Sequence, residues 1–496
     1  MTALEKPFPP GRYQVVVVGS GPGGLQTSYS LGRLGIKHAV ISADDAPGGM
    51  FRKFPLFQRL ISWTKPFAPA EHGSRAYEWY DWNSLLADEP GSRGTVAEFM
   101  DGTSYFPSRS EMQRGLCAFA ERGNLQIRHG CRWESTQKSE DGFVLGTTDG
   151  EYRCRVLVFA VGTTQAWKPA VPGIELVPHY VDAKPQAAYR NRDVFIIGKR
   201  NSGFEVADAL LPVARRIVLA SPRPAKVSVI ERSLAGARAR YLQPYEDHVL
   251  GGGNLLVDAS IDQIERGENG FRIHTSGTTL AGSMVFDADE VVATTGFCTP
   301  LQDLSKLGVA LFNQGRLPAL THYWESASVP GIYFAGSTTQ ASAGLRKYGL
   351  TGNSAAVHGF RYNARLMADR IAANHFGVEG AGSQVEPSRV IPYLLTEATT
   401  APELWNQQSY LARQISFGEG TITDNGIVPL AHFVDSSGPD SVSITVESDD
   451  HGDIHPAVYL RRAGKIQEHL MASHPLNDFE TSDHRRQLES LLKPYL

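Results

Sequence analysis

The chain has 496 residues, enough for roughly three domains of about 150 residues each. Apolar residues make up 42% and charged residues 20%, as in soluble globular proteins, and a net charge of −4 gives no electrostatic case for nucleic acid or an anionic membrane. No run of about 18 apolar residues occurs, so no spanning helix is expected. Met1-Thr2-Ala3-Leu4-Glu5-Lys6 has no apolar secretory core, and a cytoplasmic location is expected. Cys117, Cys131, Cys154 and Cys298 are scattered. None forms C-x-x-C, so they read as reduced thiols, with neither a dithiol centre nor a metal site.

Val15-Val16-Val17-Val18 has the pattern of a parallel strand buried on both faces. It runs into Gly19-Ser20-Gly21-Pro22-Gly23-Gly24, which fits the dinucleotide fingerprint. In that fingerprint Gly19 allows the tight turn, Gly21 lets backbone approach a pyrophosphate, and Gly24 lets helix pack on strand. Residues 25–34 then form the helix whose N-terminus holds the anion. A second strand, 38–42, ends at Ser42, and the ribose falls to Ser42, Asp44 or Asp45. Gly49 and Met50 follow as further cofactor candidates.

The segment 51–107 carries Trp63, Trp79 and Trp82, and reads either as the lining of a planar cofactor or substrate cavity or as a packed insertion. Trp63, Lys65, Trp82 and the distant Tyr348 are the candidate substrate-pocket residues. A helix is predicted over 110–122, then a three-stranded meander at 125–128, 143–147 and 152–159 with turns at Asp141-Gly142 and Asp149-Gly150.

The strand 156–160 closes in Val161-Gly162, and Glu290-Val291-Val292-Ala293 closes in Thr294-Thr295-Gly296. Between them a second unit opens with Val194-Phe195-Ile196-Ile197-Gly198, followed by Lys199 to Gly203 and a helix over 204–214. Two nucleotide units in tandem are the simplest equipment for hydride transfer. In the second turn Arg200 stands where the middle glycine belongs, and its guanidinium can pair with phosphate; Asn201, Ser202 and Gly203 complete the turn. The next strand ends at Ser221 without an acid, and Arg223 follows, which favours NADPH over NADH. Gly331 to Ser337 is a further strand and turn, with Gly336 and Ser337 as cofactor candidates. A helix over 353–375 should point its N-terminus at the ligand edge, after a loop holding Arg346, Lys347 and Tyr348. From Val378 the composition reads as a linker with Pro387 and Pro392, then an α+β appendage suited to self-association or partner contact.

These strings resemble the two-dinucleotide flavoproteins, and within them the flavin-dependent monooxygenases. The match rests on Gly19-x-Gly21-x-x-Gly24, Gly48-Gly49-Met50-Phe51, Asn201-Ser202-Gly203, Ala293-Thr294-Thr295-Gly296-Phe297 and Gly331–Ser337. Leu60-Ile61-Ser62, Asp81-Trp82-Asn83-Ser84-Leu85-Leu86 and His358-Gly359-Phe360-Arg361-Tyr362 are similar to the endoplasmic-reticulum flavoproteins associated with degradation and their bacterial relatives. The resemblance implies a glutathione-reductase-like α/β fold with tandem Rossmann-like domains. FAD would bind over 1–188 and 289–377, NAD(P)H over 189–288, and residues 378–496 would form the appendage. It implies hydride passing from NADPH to FAD, then O2 forming a C4a-peroxyflavin that oxygenates a nitrogen or sulfur atom of a small substrate. Asn83 would supply an amide near the flavin, and Arg346 would favour a peroxyanion and a Baeyer–Villiger outcome. The chain departs from that pattern at Gly173 and His179, which lack the preceding Phe, and at Ser337, which replaces an acid. A reductase or oxidase without oxygen insertion, or a flavin-bound partner-binding protein, are the competing readings.

Overall fold

The computed structural model describes residues 6–55, 59–228, 236–243, 254–301, 303–313, 315–342, 344–345, 347, 352–380, 382–418 and 420–496. Arg346 and Tyr348 lie outside them.

The four-valine run lies in the strand Gly11–Val18, flanked on both sides by parallel strands, His38–Ser42 and Gly150–Phe159. β-Branched side chains suit this position because both faces of the strand are covered. Val15, Val16 and Val17 are fully buried. The sheet has seven strands, and its last parallel member, Ile332–Phe334, pairs with Gly150–Phe159 from far along the chain. The helix Pro22–Arg33 is buried along its first ten residues and packs against Val357–Phe376. The predicted meander exists with a different outer strand, Trp133–Ser139, beside Gly142–Thr147 and Gly150–Phe159. Residues 125–128 contribute only to the short strand Arg128–His129 on the opposite edge. Trp133-Glu134-Ser135-Thr136-Gln137-Lys138-Ser139 is polar because it is an edge strand largely facing solvent, which hides it from an apolar-pattern reading.

The second sheet repeats the first. Asp193–Ile197 is flanked by parallel Arg216–Ser221 and Glu290–Ala293, and Asn254–Gly267 leads into antiparallel Gly270–Gly277 and Ser283–Ala288. The two units are joined where Gln165–Ala166 pairs antiparallel with Phe297–Cys298.

The reading of 378–392 as a linker is corrected. Pro387 opens the helix Pro387–Thr400, where its missing N–H is no loss, and Pro392 lies within that helix. The C-terminal unit is a six-stranded antiparallel sheet with Pro387–Thr400 and Ser482–Leu492 packed over Ile415, Ile444 and Val458. It is fastened to the rest of the chain. Arg75 forms two 2.8 Å bonds to Glu397 and another, of 2.9 Å, to Glu403; Trp79 Nε1 donates to Thr400 O at 2.6 Å; Trp324 Nε1 donates to Tyr410 OH at 3.1 Å. Among the described residues, no helix is long and apolar enough to cross a membrane, and no His/Cys/Asp/Glu group is placed to hold a metal ion.

Candidate functional site

Three glycine segments meet at the C-terminal edge of the first sheet. Gly19 turns with φ +114°, and its N–H donates to Ile41 O at 2.8 Å. A Cβ at Gly24 would sit 2.0 Å from Gly19 O; one at Gly23 would sit 2.5 Å from both N and Cα of Gly336; one at Gly49 would sit 3.1 Å from Gly21 Cα. Backbone therefore packs on backbone, and the N-terminus of Pro22–Arg33 opens between the turns with no acid in its first turn and no side-chain cap. Uncapped N–H groups and a helix dipole behind a glycine cradle fit a dinucleotide pyrophosphate. Gly162 and Ser337 border the same edge: Thr163 N donates to Ser337 Oγ at 3.1 Å, tying the last turn to the loop after Gly150–Phe159. Ser42, the ribose candidate, is placed at the end of its strand with its hydroxyl held by the chain. Its buried hydroxyl is 2.7 Å from Ser20 Oγ and accepts from Asp44 N at 3.2 Å, so it shapes the turn. Asp44 is ion-paired with Lys53, and the exposed Asp45 with Arg52.

The second turn copies the first bond for bond. Gly198 N donates to Ala220 O at 2.8 Å, as Gly19 N does to Ile41 O, and a Cβ at Gly203 would sit 2.4 Å from Gly198 O. Arg200 takes the same extended backbone as Gly21 (ψ −171° against −179°), so the chain itself does not need glycine there. Its side chain is exposed, as is that of Arg223 beyond Arg216–Ser221. Ser202, half-buried, lies in the first turn of the helix Asn201–Leu210. Asn201 is bound to the chain: its Nδ2 donates to Gly236 O at 3.0 Å and its Oδ1 accepts from Arg238 N at 3.1 Å. Lys199 is buried and paired with Asp258.

Between the units lies a cavity of about 620 Å³, within the usual range for small-molecule sites. Its apolar wall comes from Ile61, Trp63, Trp82, Tyr105 and Phe106; Lys65, Arg238 and Arg240 supply charge. Trp63, Lys65 and Trp82 thus come together as the sequence suggested. Trp63 and Trp82 lie 5.2 Å apart, and Trp82 stacks on His358 at 4.4 Å. Burial and the nearby Arg361 push the His358 imidazole down to about 3, so it is neutral. Asn83 is corrected as a catalytic group: its buried amide accepts from Ser62 Oγ at 2.5 Å and donates to Thr64 Oγ1 at 2.9 Å. Both ends are committed to holding the tryptophan loops. Arg361 holds the same wall from behind, donating to Asp81 O at 2.8 Å and Ser84 O at 2.9 Å.

Gly296 (φ +98°) precedes Phe297, which stacks on Phe54 at 5.4 Å and meets Tyr180 edge-on at 6.0 Å. Tyr180 OH donates to Glu205 at 3.0 Å, and burial pushes the Glu205 carboxyl up to about 8. Gly23, Arg238 and Arg240 were missed in the sequence. The Gly23-Gly24 doublet was a signal for the first; nothing local announces the arginines, because only the fold carries them to the tryptophans.

Two glycine-turn units in tandem, each on its own parallel sheet, define a two-dinucleotide flavoprotein. The chain belongs to the pyridine nucleotide-disulphide oxidoreductase family, whose pattern matches residues 16–336. That family is one of oxidoreductases that use a pyridine nucleotide. The chain is similar to FAD-dependent oxidoreductase domain-containing protein 2 of Danio rerio, 24% identical over 78% of this chain, and spans only 63% of that relative. In fold it is similar to the bacillithiol disulfide reductase Bdr (YpdA) of Bacillus cereus, at 22% identity and a TM-score of 0.57 covering 73% of this chain and 99% of that one. A flavin-containing monooxygenase from Stenotrophomonas maltophilia matches at 19% identity and a TM-score of 0.55, over 73% and 98%.

Gly23→Val should push Gly336 away and leave the purified protein with less than about a tenth of the wild-type flavin absorbance. Full flavin content in that variant would show that the cradle is dispensable. Folding raises the Glu205 carboxyl above its unfolded value, so the folded chain holds the extra proton and loses stability as pH rises from about 5 to about 8. Glu205→Gln keeps an acceptor for Tyr180 and should flatten that part of the Tm–pH curve, with the largest gain near pH 8. An unchanged slope would place the titration elsewhere.

Proposed function

We propose that this oxidoreductase is an NADPH-dependent flavin monooxygenase that places one oxygen atom of O2 on a nitrogen or sulfur atom of a small organic substrate. The observation that carries the reading is the aromatic-walled cavity lined by residues of both units, with no cysteine among its described lining residues. Cys154 is buried, with its thiol pushed up to about 12, and burial also raises Cys117 and Cys298. Attack on a disulfide needs the opposite shift, towards thiolate.

Bound FAD supplies hydride acceptance and O2 activation. The chain's own residues do the rest. The N–H groups of Gly21, Gly23 and Gly24 would hold the FAD pyrophosphate, and Gly49, Met50, Gly162, Gly336 and Ser337 would border it. The turn from Gly198 to Gly203 takes the pyrophosphate of NADPH, with Arg200 adding charge. Arg223 reads the 2′-phosphate. Lys199 matches Asp258, which stands opposite Ser221 in the neighbouring strand and would otherwise repel that phosphate. The Trp63–Trp82 wall keeps bulk water from the reacting atoms.

Turnover under isotope-labelled O2 with a panel of thioethers and secondary or tertiary amines, each with and without a carboxylate group, tests the reaction. One labelled oxygen should appear in product for each NADPH consumed. If every electron pair is recovered as peroxide or passes to an artificial acceptor, the protein is an oxidase or a reductase. Arg223→Ala should raise the KM for NADPH about tenfold or more and leave that for NADH within about twofold, since a charged contact to phosphate contributes about 1.5–3 kcal/mol. Equal effects on both nucleotides would remove Arg223 from this role.

A further inference from the structure

Among the described residues, nothing matches the charge of Arg238. Other buried guanidinium groups are well supplied: Arg361 donates to backbone carbonyls, and Arg413 pairs with Glu397 and Asp424. Among the described residues, Arg238 alone leaves two guanidinium nitrogens, Nε and Nη2, buried and without a hydrogen-bond partner. No described carboxylate is paired with it. Its charged neighbour is Arg240, and that repulsion together with burial lowers its pKa. A half-buried charge in this state is costly unless something else supplies the partner.

The two nitrogens lie on one edge of the guanidinium, where Nε–H and Nη2–H run parallel and fit the two oxygens of a carboxylate. Both atoms are closed to solvent in this structure, but the side chain they belong to lines the cavity, whose other charged lining residues among those described are also cationic: Lys65 and Arg240. Arg240 is itself oriented by Phe106, 4.1 Å beneath its guanidinium, and by donation to Tyr241 OH at 3.1 Å. No acid lines the cavity among the described residues. An apolar wall with three cations and no anion selects against amines and for organic acids.

We propose that the cavity takes a carboxylate-bearing substrate with an aromatic or aliphatic body, the body against Trp63, Trp82 and Phe106 and the carboxylate toward the cationic side formed by Lys65, Arg238 and Arg240. This rests on the reading of the cavity as the substrate site. It does not depend on the oxygen transfer.

Calorimetric titration of the oxidised holoenzyme with NADP+ present tests it, using benzoate, naphthoate and phenylbutyrate, each against its primary amide and its amine. At least one carboxylate should bind about tenfold or more tightly than its amide, and the amine more weakly still. Arg238→Gln should cut that preference below about threefold while FAD content and the KM for NADPH stay at wild-type values. Arg240→Gln, at an exposed position, should weaken it in part and guards against misfolding of the first variant. Amides or amines binding as well as acids, or no acid binding at millimolar concentration, overturns the proposal. So does an Arg238→Gln variant that keeps the preference and raises the KM for NADPH, because the guanidinium would then serve the nucleotide. No turnover is involved, so the result stands apart from the isotope experiment.

Discussion

Contact between bare backbones sets the geometry of this protein. Gly24 meets Gly19 across one turn, and Gly23 meets Gly336 from more than three hundred residues later. Such approach leaves no room for a methyl group, so the helix Pro22–Arg33 sits at a depth fixed by main-chain atoms. The last parallel strand, Ile332–Phe334, must then arrive in register with Gly150–Phe159 to bring Gly336 into place. The long helix Val357–Phe376 packs against both partners of that contact, the helix Pro22–Arg33 and the turn Gly336–Ala341.

That long helix passes the constraint on to the cavity. Its first turn carries His358 behind Trp82, and Arg361 gathers the carbonyls of the segment 78–84. On the outer side, Arg75 and Trp79 are gripped by the C-terminal unit through Glu397, Glu403 and Thr400. A loop-rich insertion with few backbone ladders of its own is thus clamped from two directions. The clamp gives its tryptophans fixed positions, as a selective cavity requires.

What could be read in the sequence was what is local. The two strand–turn–helix units are short and obey a spacing rule, and both appear with matching hydrogen bonds at Gly19 and Gly198. The aromatic segment showed itself by composition, and Trp63 and Trp82 do meet. What escaped was whatever depends on partners distant in sequence. Asn83 resembled a free amide until Ser62 and Thr64 proved to hold both its ends. Ser42 stood as a ribose candidate without showing that Ser20 holds its hydroxyl. Pro387 and Pro392 suggested a linker because proline more often breaks helices than starts them. Arg238 has no motif at all, since its meaning comes from unpartnered guanidinium nitrogens on a side chain that lines one cavity with another unit's tryptophans.

The ribbon made by Gln165–Ala166 and Phe297–Cys298 has an evolutionary consequence. The chain leaves the first unit and returns to it along neighbouring strands, about 5 Å apart. An ancestral single-sheet protein could therefore accept the whole second unit at one point without redrawing its own sheet. The copy of the first turn found at Gly198 is what duplication followed by such an insertion would leave behind.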